Sequence, residues 1–456
     1  MDLCFLSVEE LNQLYKSKTL SPVDVCKAVL DKIRSENPTY NAMCFVDEEQ
    51  AIKDAKLSEK RWRNGKPLSQ IDGVPTTIKD LVLTKGWPTL RGSLTVKQRD
   101  QWNEDAPCVD KLRKSGAVLI GKTTTPEFGS KGVTESRLNG ITRNACNPER
   151  TSGGSSGGAA VAAARGFGVL HIGSDGAGSI RIPSSFNGIF GLKPTFGRVP
   201  AYPASPLGTF SHIGPMTRCV RDAAYMMNII SQPDPRDWYA LPFDNVDYCK
   251  NLDNGLKNLR IGYSKDLGYA SVDDQVANSF QLALNKLTDQ GVHLEEIASP
   301  LAEDPSWITD KLWFYAYLNI TTDMTETDIS EMDFLQQEML EKARTYNPKD
   351  ILEAEMERVK VATKLVSLHT QYDLILTPTM PITAFTAGQF NPWGTEKPED
   401  WIRWSSFTYP FNQSQQPAAT IPCGVDTQGM PIGIQVIGNK YDDALVLRAA
   451  SFLEKL

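Results

Sequence analysis

The stretch from Thr151 to Arg198 constrains this chain more than any other. It opens with Gly153-Gly154-Ser155-Ser156-Gly157-Gly158, passes through the small residues Ala159 to Ala164, and reaches a second glycine turn, Asp175-Gly176-Ala177-Gly178-Ser179. Glycines clustered in this way let the backbone take positive φ and bring its N–H groups close to a ligand. The segment between Ser155 and Ser179 is long enough for a short helix and a strand. The two serines can therefore meet if that helix packs back on its own exit strand. Taken alone, one glycine run is as often an ordinary flexible loop. A phosphate cradle is the other common reading, but G-x-x-x-x-G-K-[ST] occurs nowhere in the chain.

A hydroxyl nucleophile needs a base. The chain has only four histidines, His171, His212, His293 and His369. His171 sits in the apolar run Val169-Leu170-His171-Ile172, where a satisfied core histidine is the commoner outcome, and His293 and His369 lie on amphipathic patterns. The G-x-S-x-G elbow of Ser-His-Asp hydrolases is absent. A lysine base is the alternative, since Ser-Lys pairs occur on several folds. The candidate is Lys79, which ends the run Ile71-Asp72-Gly73-Val74-Pro75-Thr76-Thr77-Ile78. Partial desolvation there would lower its pKa toward the working range. A lysine in such a place more often snorkels out to solvent, and spacing alone leaves both readings open.

Several ordered motifs extend the pattern. Besides the segments 71–80, 153–158 and 175–195, the chain carries 116–128 (GAVLIGKTTTPEF), Thr142-Arg143-Asn144, Asn147-Pro148, Gly214-Pro215-Met216-Thr217-Arg218, Gln416-Pro417-Ala418 and Pro422-Cys423-Gly424. In this order and at these separations they resemble the amidase signature family of Ser-cisSer-Lys hydrolases. The likeness covers most of the chain and is weakest around 232–256 and 300–350. It implies one large α/β/α unit around a mixed twisted β-sheet spanning 1–456, with N-terminal helices over 7–65 and a variable substrate-side region about 300–410. By the same resemblance Ser179 is the nucleophile, Ser155 the bridging serine on a cis peptide, and Lys79 the base. The oxyanion would be held by the backbone N–H groups of Gly176, Ala177, Gly178 and Ser179. Ala177 departs from the family, which commonly has glycine there. No metal or organic cofactor is implied.

The chemistry explains these residue types. A serine hydroxyl is barely ionised at neutral pH, so a base must take its proton as it attacks a carbonyl. Lysine serves only if burial keeps it neutral. Ser155, between the two, can accept from one partner and donate to the other.

Charge and composition remove other classes. A formal net charge of −7 gives a nucleic-acid reading no support. No run of about 18 apolar residues exists, so no membrane span is expected. The start, Met1-Asp2-Leu3-Cys4-Phe5-Leu6, lacks the basic region of a secretory signal. Eight cysteines without C-x-x-C spacing fit reduced thiols in a cytoplasmic protein rather than a disulfide frame or a zinc site.

Periodicity orders the remainder. Ser7 to Glu10 and Ser21 to Asp24 start helices, a third helix runs from about 48 to 62, and a strand ends at Lys79. A helix covers 105–115, a buried strand 117–120 and a helix 221–230, after which 233–254 is a polar surface crossing. Strand 258–263, a helix with Val276, Phe280, Leu284 and Leu287 on one face, and strand 292–297 form a βαβ unit and argue for α/β architecture. Residues 305–365 read as mainly helical, 372–377 and 431–437 as strands, 388–398 as a loop and 442–455 as the closing helix.

Two aromatic clusters lie outside the motifs: Trp313, Phe314, Tyr315, Tyr317, and Trp401, Trp404, Phe407, Tyr409. Packing explains such clusters about as often as a pocket does. As pocket candidates we take Trp313, Trp404, Phe407 and Tyr409. The expected activity is an amidohydrolase cleaving linear carboxylic amides with an apolar or aryl portion, with acyl-enzyme chemistry extending to esters and carbamates. The expected partner is a small-molecule amide, with no nucleic acid and no membrane; a homodimer is left open. Two rivals stand beside it. One is the glutamine-hydrolysing component of a tRNA-dependent amidotransferase, a group that carries an aspartate where this chain has Ser405. No acidic residue occurs between Trp401 and Asn412. The other is a non-catalytic binding relative, against which the joint presence of Lys79, Ser155 and Ser179 argues.

Overall fold

A computed structural model describes residues 2–96 and 102–456. The N-terminal helices form where their caps predict. Ser7 and Glu10 close a capping box at Val8–Lys16, and Ser21 and Asp24 close another at Pro22–Tyr40 with Pro22 in its first turn. Val25, Val29 and Ile33 are the buried stripe of the second helix, and Glu48–Arg63 follows.

Among the described residues one sheet of eleven strands runs through the molecule. Its spatial order is Met43–Val46, Val118–Thr123, Pro75–Lys79, Leu170–Asp175, His212–Thr217, Phe190–Lys193, Ala418–Val425, Pro431–Gly438, Leu374–Pro378, Ile261–Tyr263, Leu294–Glu296. The sheet is mixed, and helices flank it. The Lys79 strand lies parallel to both of its neighbours, whereas His212–Thr217 through Leu374–Pro378 pair antiparallel. Parallel pairing returns at the far edge, where Ile261–Tyr263 and Leu294–Glu296 flank the helix Asp274–Asp289 as the expected βαβ unit. Val276, Phe280, Leu284 and Leu287 are that helix's buried face.

Three elements have no clear signal in the sequence. Ala418–Val425 lies deep in the sheet, yet it contains Pro422 and Gly424, which read as turn residues. The register shifts between those two residues, so the missing proline N–H falls at an irregularity rather than in a regular ladder. The helix Arg181–Asn187 contains Pro183 and two serines, and the short strand Met43–Val46 follows a helix almost directly. The region expected to be helical comprises Ser306–Ile320, Glu326–Glu331, Phe334–Arg344 and Pro348–Ser367. Among the described residues no helix is long and apolar enough to cross a membrane.

Strand register positions the chemistry. Thr76, Thr77 and Ile78 pair with Leu170, His171 and Ile172, so Lys79 and the segment Ser174-Asp175 leave the same end of adjacent parallel strands. His171 is spent in this core: its Nδ1 lies 2.8 Å from Thr77 Oγ1, and burial lowers its pKa to about 3.

Candidate active site

The Lys79 side chain does not snorkel; it is 0 % exposed. Its Nζ lies 2.7 Å from Ser155 Oγ, 2.8 Å from Ser156 Oγ and 3.0 Å from Ser174 Oγ. Burial pushes its pKa well below the ordinary lysine range, against the pull of the Asp175 carboxylate. The surroundings thus favour the neutral amine.

The proton inventory follows. Ser156 Oγ donates to the Ser174 carbonyl at 3.0 Å and accepts from the Ser174 N–H at 3.2 Å. Its only proton is committed, so toward Lys79 it accepts. A neutral amine has two N–H groups and one lone pair. Among three serine neighbours, one hydroxyl is therefore left to donate into the lone pair, and only Ser155 and Ser174 are available for that role.

The two glycine-rich segments meet as their spacing allows. The Ser156 N–H donates to the Ser179 carbonyl at 3.1 Å, and the Gly154–Ser155 peptide is cis. Between them the helix Gly157–Arg165 turns completely buried alanines toward its neighbours. Such small side chains let it lie close against the strand Leu170–Asp175. Ser155, Ser174, Gly176 and Ser179 all line one cavity of about 120 Å³.

Asp175 and Arg181, unassigned in the sequence, hold the second turn. Asp175 Oδ1 accepts from the Gly178 N–H at 2.8 Å, from Asn412 Nδ2 at 2.9 Å and from an Arg181 terminal nitrogen at 2.9 Å. Oδ2 accepts from the Ile180 N–H at 3.1 Å and from Arg181 Nε at 3.0 Å. Burial alone would raise the Asp175 pKa, but the Arg181 charge and these bonds prevail and hold the carboxyl well below its usual range. Arg181 also reaches the Thr408 carbonyl, Gln435 Oε1 and Asn412 Oδ1 at 2.8, 2.8 and 2.5 Å. A charged pair placed either side of a glycine turn, in a stretch otherwise without acidic or basic residues beyond His171, was the available signal.

This geometry corrects one expectation. The Gly178 N–H is donated to the Asp175 carboxylate at 2.8 Å, so of the four amides expected to face an oxyanion this one is already engaged. Gly178 instead serves the turn: its φ is +129°, and a Cβ there would collide with Thr408 Oγ1. Ala177 takes no positive φ, so the alanine is accommodated without strain. Its carbonyl accepts from Thr408 Oγ1 at 2.7 Å.

The aromatic candidates separate. Trp313 lines the cavity together with Tyr317, Phe128 and Leu207. Trp404, Phe407 and Tyr409 are not among the lining residues. Trp404 stacks on Phe186 with ring centres 6.1 Å apart, Phe407 is buried in a core with Phe411 and Leu365, and the Tyr409 hydroxyl donates to Asp304 Oδ1 at 2.6 Å. Their segment winds through short turns behind the turn at 175–179 and contributes Thr408 and Asn412 to it instead. Ser405 is likewise buried, with its hydroxyl donated to the Ile402 carbonyl at 2.8 Å. Among the described residues no cluster of His, Cys, Asp and Glu has the arrangement of a metal site.

Known proteins resemble the chain along nearly its whole length. Residues 24–447 match the family model described as Amidase. An acylamidase from Rhodococcus erythropolis is 34% identical, over 99% of this chain and 96% of that protein. The A-type component of the glutamyl-tRNA(Gln) amidotransferase from Chloroflexus aurantiacus is 30% identical, over 100% of this chain and 97% of its own length. The crystal structure of a bacterial aryl acylamidase of the amidase signature family superposes with a TM-score of 0.92 at 27% identity, covering 99% of this chain and 96% of that one. The chain belongs to the amidase family and is a hydrolase of carbon–nitrogen bonds in amides.

Proposed function

We propose that this amidase transfers the acyl group of a linear carboxylic amide to Ser179 Oγ, with Lys79 as base and Ser155 as the proton relay between them. One observation carries the reading: a buried, neutral-favouring amine holds Ser155 Oγ at 2.7 Å, and both Ser155 and Ser179 open on the same cavity. Because Ser156 only accepts toward the amine, Ser155 can direct its hydroxyl into the Lys79 lone pair and accept from Ser179. As Ser179 attacks the carbonyl, its proton passes to Ser155 and that of Ser155 to Lys79. The negative oxygen of the tetrahedral intermediate faces the N–H groups of Gly176, Ala177 and Ser179. Proton return to the departing nitrogen breaks the C–N bond, and water then releases the acid by the same path.

The substrate reading is an amide with an apolar or aryl portion. A cavity of about 120 Å³ is close to the roughly 150 Å³ that holds a benzene ring in an apolar protein interior. Trp313, Tyr317, Phe128 and Leu207 give it an apolar wall, and among the described lining residues none is Asp or Glu. The acylamidase names of two relatives support the same substrate class.

The decisive experiment uses a fluorophosphonate active-serine probe on wild type and Ser179→Ala, together with amine release from an anilide. Labelling and turnover should both vanish in the variant while its melting temperature is retained. A variant labelled at Ser155 or elsewhere as fast as wild type would overturn the assignment.

A further inference from the structure

The cavity that holds Ser155 and Ser179 does not stand alone. Behind part of its wall lies a second space of about 300 Å³, apolar along Phe210, Leu312, Ala316 and Ile351 and polar where the Glu355–Arg358 ion pair lines it. Three residues line both spaces: Pro206, Leu207 and Trp313. They form the partition, and the indole is its largest part.

That indole is held on two sides. On one side it abuts the catalytic turn so closely that a Cβ on Gly176 would fall 2.8 Å from Trp313 Cζ3 and 3.4 Å from Leu207 Cδ1. On the other it packs on Trp401, with ring centres 4.7 Å apart and planes tilted by 35°. Trp401 is itself fixed, because its Nε1 donates to Asp310 Oδ1 at 2.7 Å. Asp310 lies one turn before Trp313 on the helix Ser306–Ile320, so the partition and its brace grow from one element. Packed against the Gly176 turn and Trp401, the indole is held in place between the two spaces, and the partition stays closed to a growing substrate.

We propose that Trp313 is the length-determining residue of this amidase, and that the apolar side of the space behind it is a latent subsite for extended aliphatic or arylalkyl substituents. The inference rests on the assignment of the Ser155–Ser179 cavity as the reaction site. One substituent of the scissile amide grows toward the indole and is stopped there. Removing the ring joins the two cavities, and the longer group then exchanges water for Phe210, Leu312, Ala316 and Ile351. Arg358 does not disturb this lining, since its guanidinium lies over the Phe210 ring at 4.0 Å and its Nε donates to the Gln413 carbonyl at 3.1 Å.

The test compares kcat/KM across two series of anilides, one lengthened on the acyl side from acetyl to decanoyl and one lengthened on the amine side by para-alkyl groups. Wild type should fall steeply with length in one series. Trp313→Ala should raise the long-to-short ratio in that series by about tenfold or more, a span typical of added methylenes in an apolar pocket. Adding Ala316→Leu to Trp313→Ala refills only the second cavity and should return the ratio toward wild type. An unchanged ratio in both series for a folded Trp313→Ala, or a ratio indifferent to Ala316→Leu, would overturn the proposal. Ser179→Ala is run alongside: if it is inactive while the ratios stay flat, the length inference alone fails; if it remains active, the site assignment fails and this inference with it.

Discussion

A buried amine can hold two protons or three, and at Lys79 the neighbours decide which. Three hydroxyls surround it, among the described residues no carboxylate is within hydrogen-bonding distance of Nζ, and burial outweighs the more distant charge of Asp175. The group is therefore a base whose conjugate acid is costly. In the proposed relay, Lys79→Ala should lower kcat by about a thousandfold or more, within the usual range for general-base removal. Ser155→Ala should lose less, since a water can take the place of a hydroxyl bridge. Rates should fall on the acid side as pH drops through the lowered Lys79 pKa, and that limb should be absent in Lys79→Ala. Near-wild-type turnover by the lysine variant at neutral pH would remove it from the mechanism. Local sequence could not settle this residue, because a lysine ending an apolar strand ordinarily reaches water. The serines that make burial tolerable come from the turn at 155–156 and from a neighbouring strand at 174, and only the fold brings them to one nitrogen. The commitment of the Gly178 N–H to Asp175 was hidden for the same reason, since the motif displays four amides in a row but not which of them a side chain will take.

At the scale of elements, the helix Ser306–Ile320 carries both a cavity wall and a buried acid. Burial raises the Asp310 pKa to about 8, and the Trp401 hydrogen bond only partly offsets it. Between the ordinary carboxyl value and that one, the folded chain binds a proton that the unfolded chain has lost, so stability falls as pH rises across the window. Glu127, raised to about 7, and Asp222, raised to about 6, tilt the same way, in each case chiefly by burial. Asp310→Asn keeps an acceptor for the indole but cannot ionise. Urea midpoints of wild type and variant, measured at about pH 5 and about pH 9, should show a smaller loss for the variant. Equal losses would mean that Asp310 does not carry this titration. Helices with capping boxes were legible from their first four residues, as at Ser7 and Ser21, because the cap is a local bond. The strand Ala418–Val425 was not, since Pro422 and Gly424 fit it only through a register shift against a partner strand. Trp404, Phe407 and Tyr409 failed as pocket residues for a related reason: aromatic spacing reports burial and is silent on which side of a wall a ring faces.

For the whole molecule, charge selection follows from what lines the reaction space. Among the described lining residues no carboxylate is present to receive an α-ammonium, and the apolar wall would strip its water without replacement. An aryl ring there gains about 25 cal/mol per Å² of apolar surface buried, a few kcal/mol in total. Neutral aryl amides should therefore exceed glutamine in kcat/KM by at least about a hundredfold, ~2.7 kcal/mol. Glutamine equal to or better than the apolar amide under the same conditions would revive the amidotransferase reading. The family and the α/β class were legible at this scale because many motifs recur in order, whereas strand order was not, because neighbours in the sheet are often distant in sequence. The enclosure of Lys79 has one more consequence. In an unfolded chain the amine is a solvated ammonium of ordinary affinity for protons, near 10.4. In the proposed mechanism its basicity at neutral pH therefore exists only while the fold encloses it. On that mechanism an unfolded copy is chemically silent toward amides, and turnover counts folded molecules.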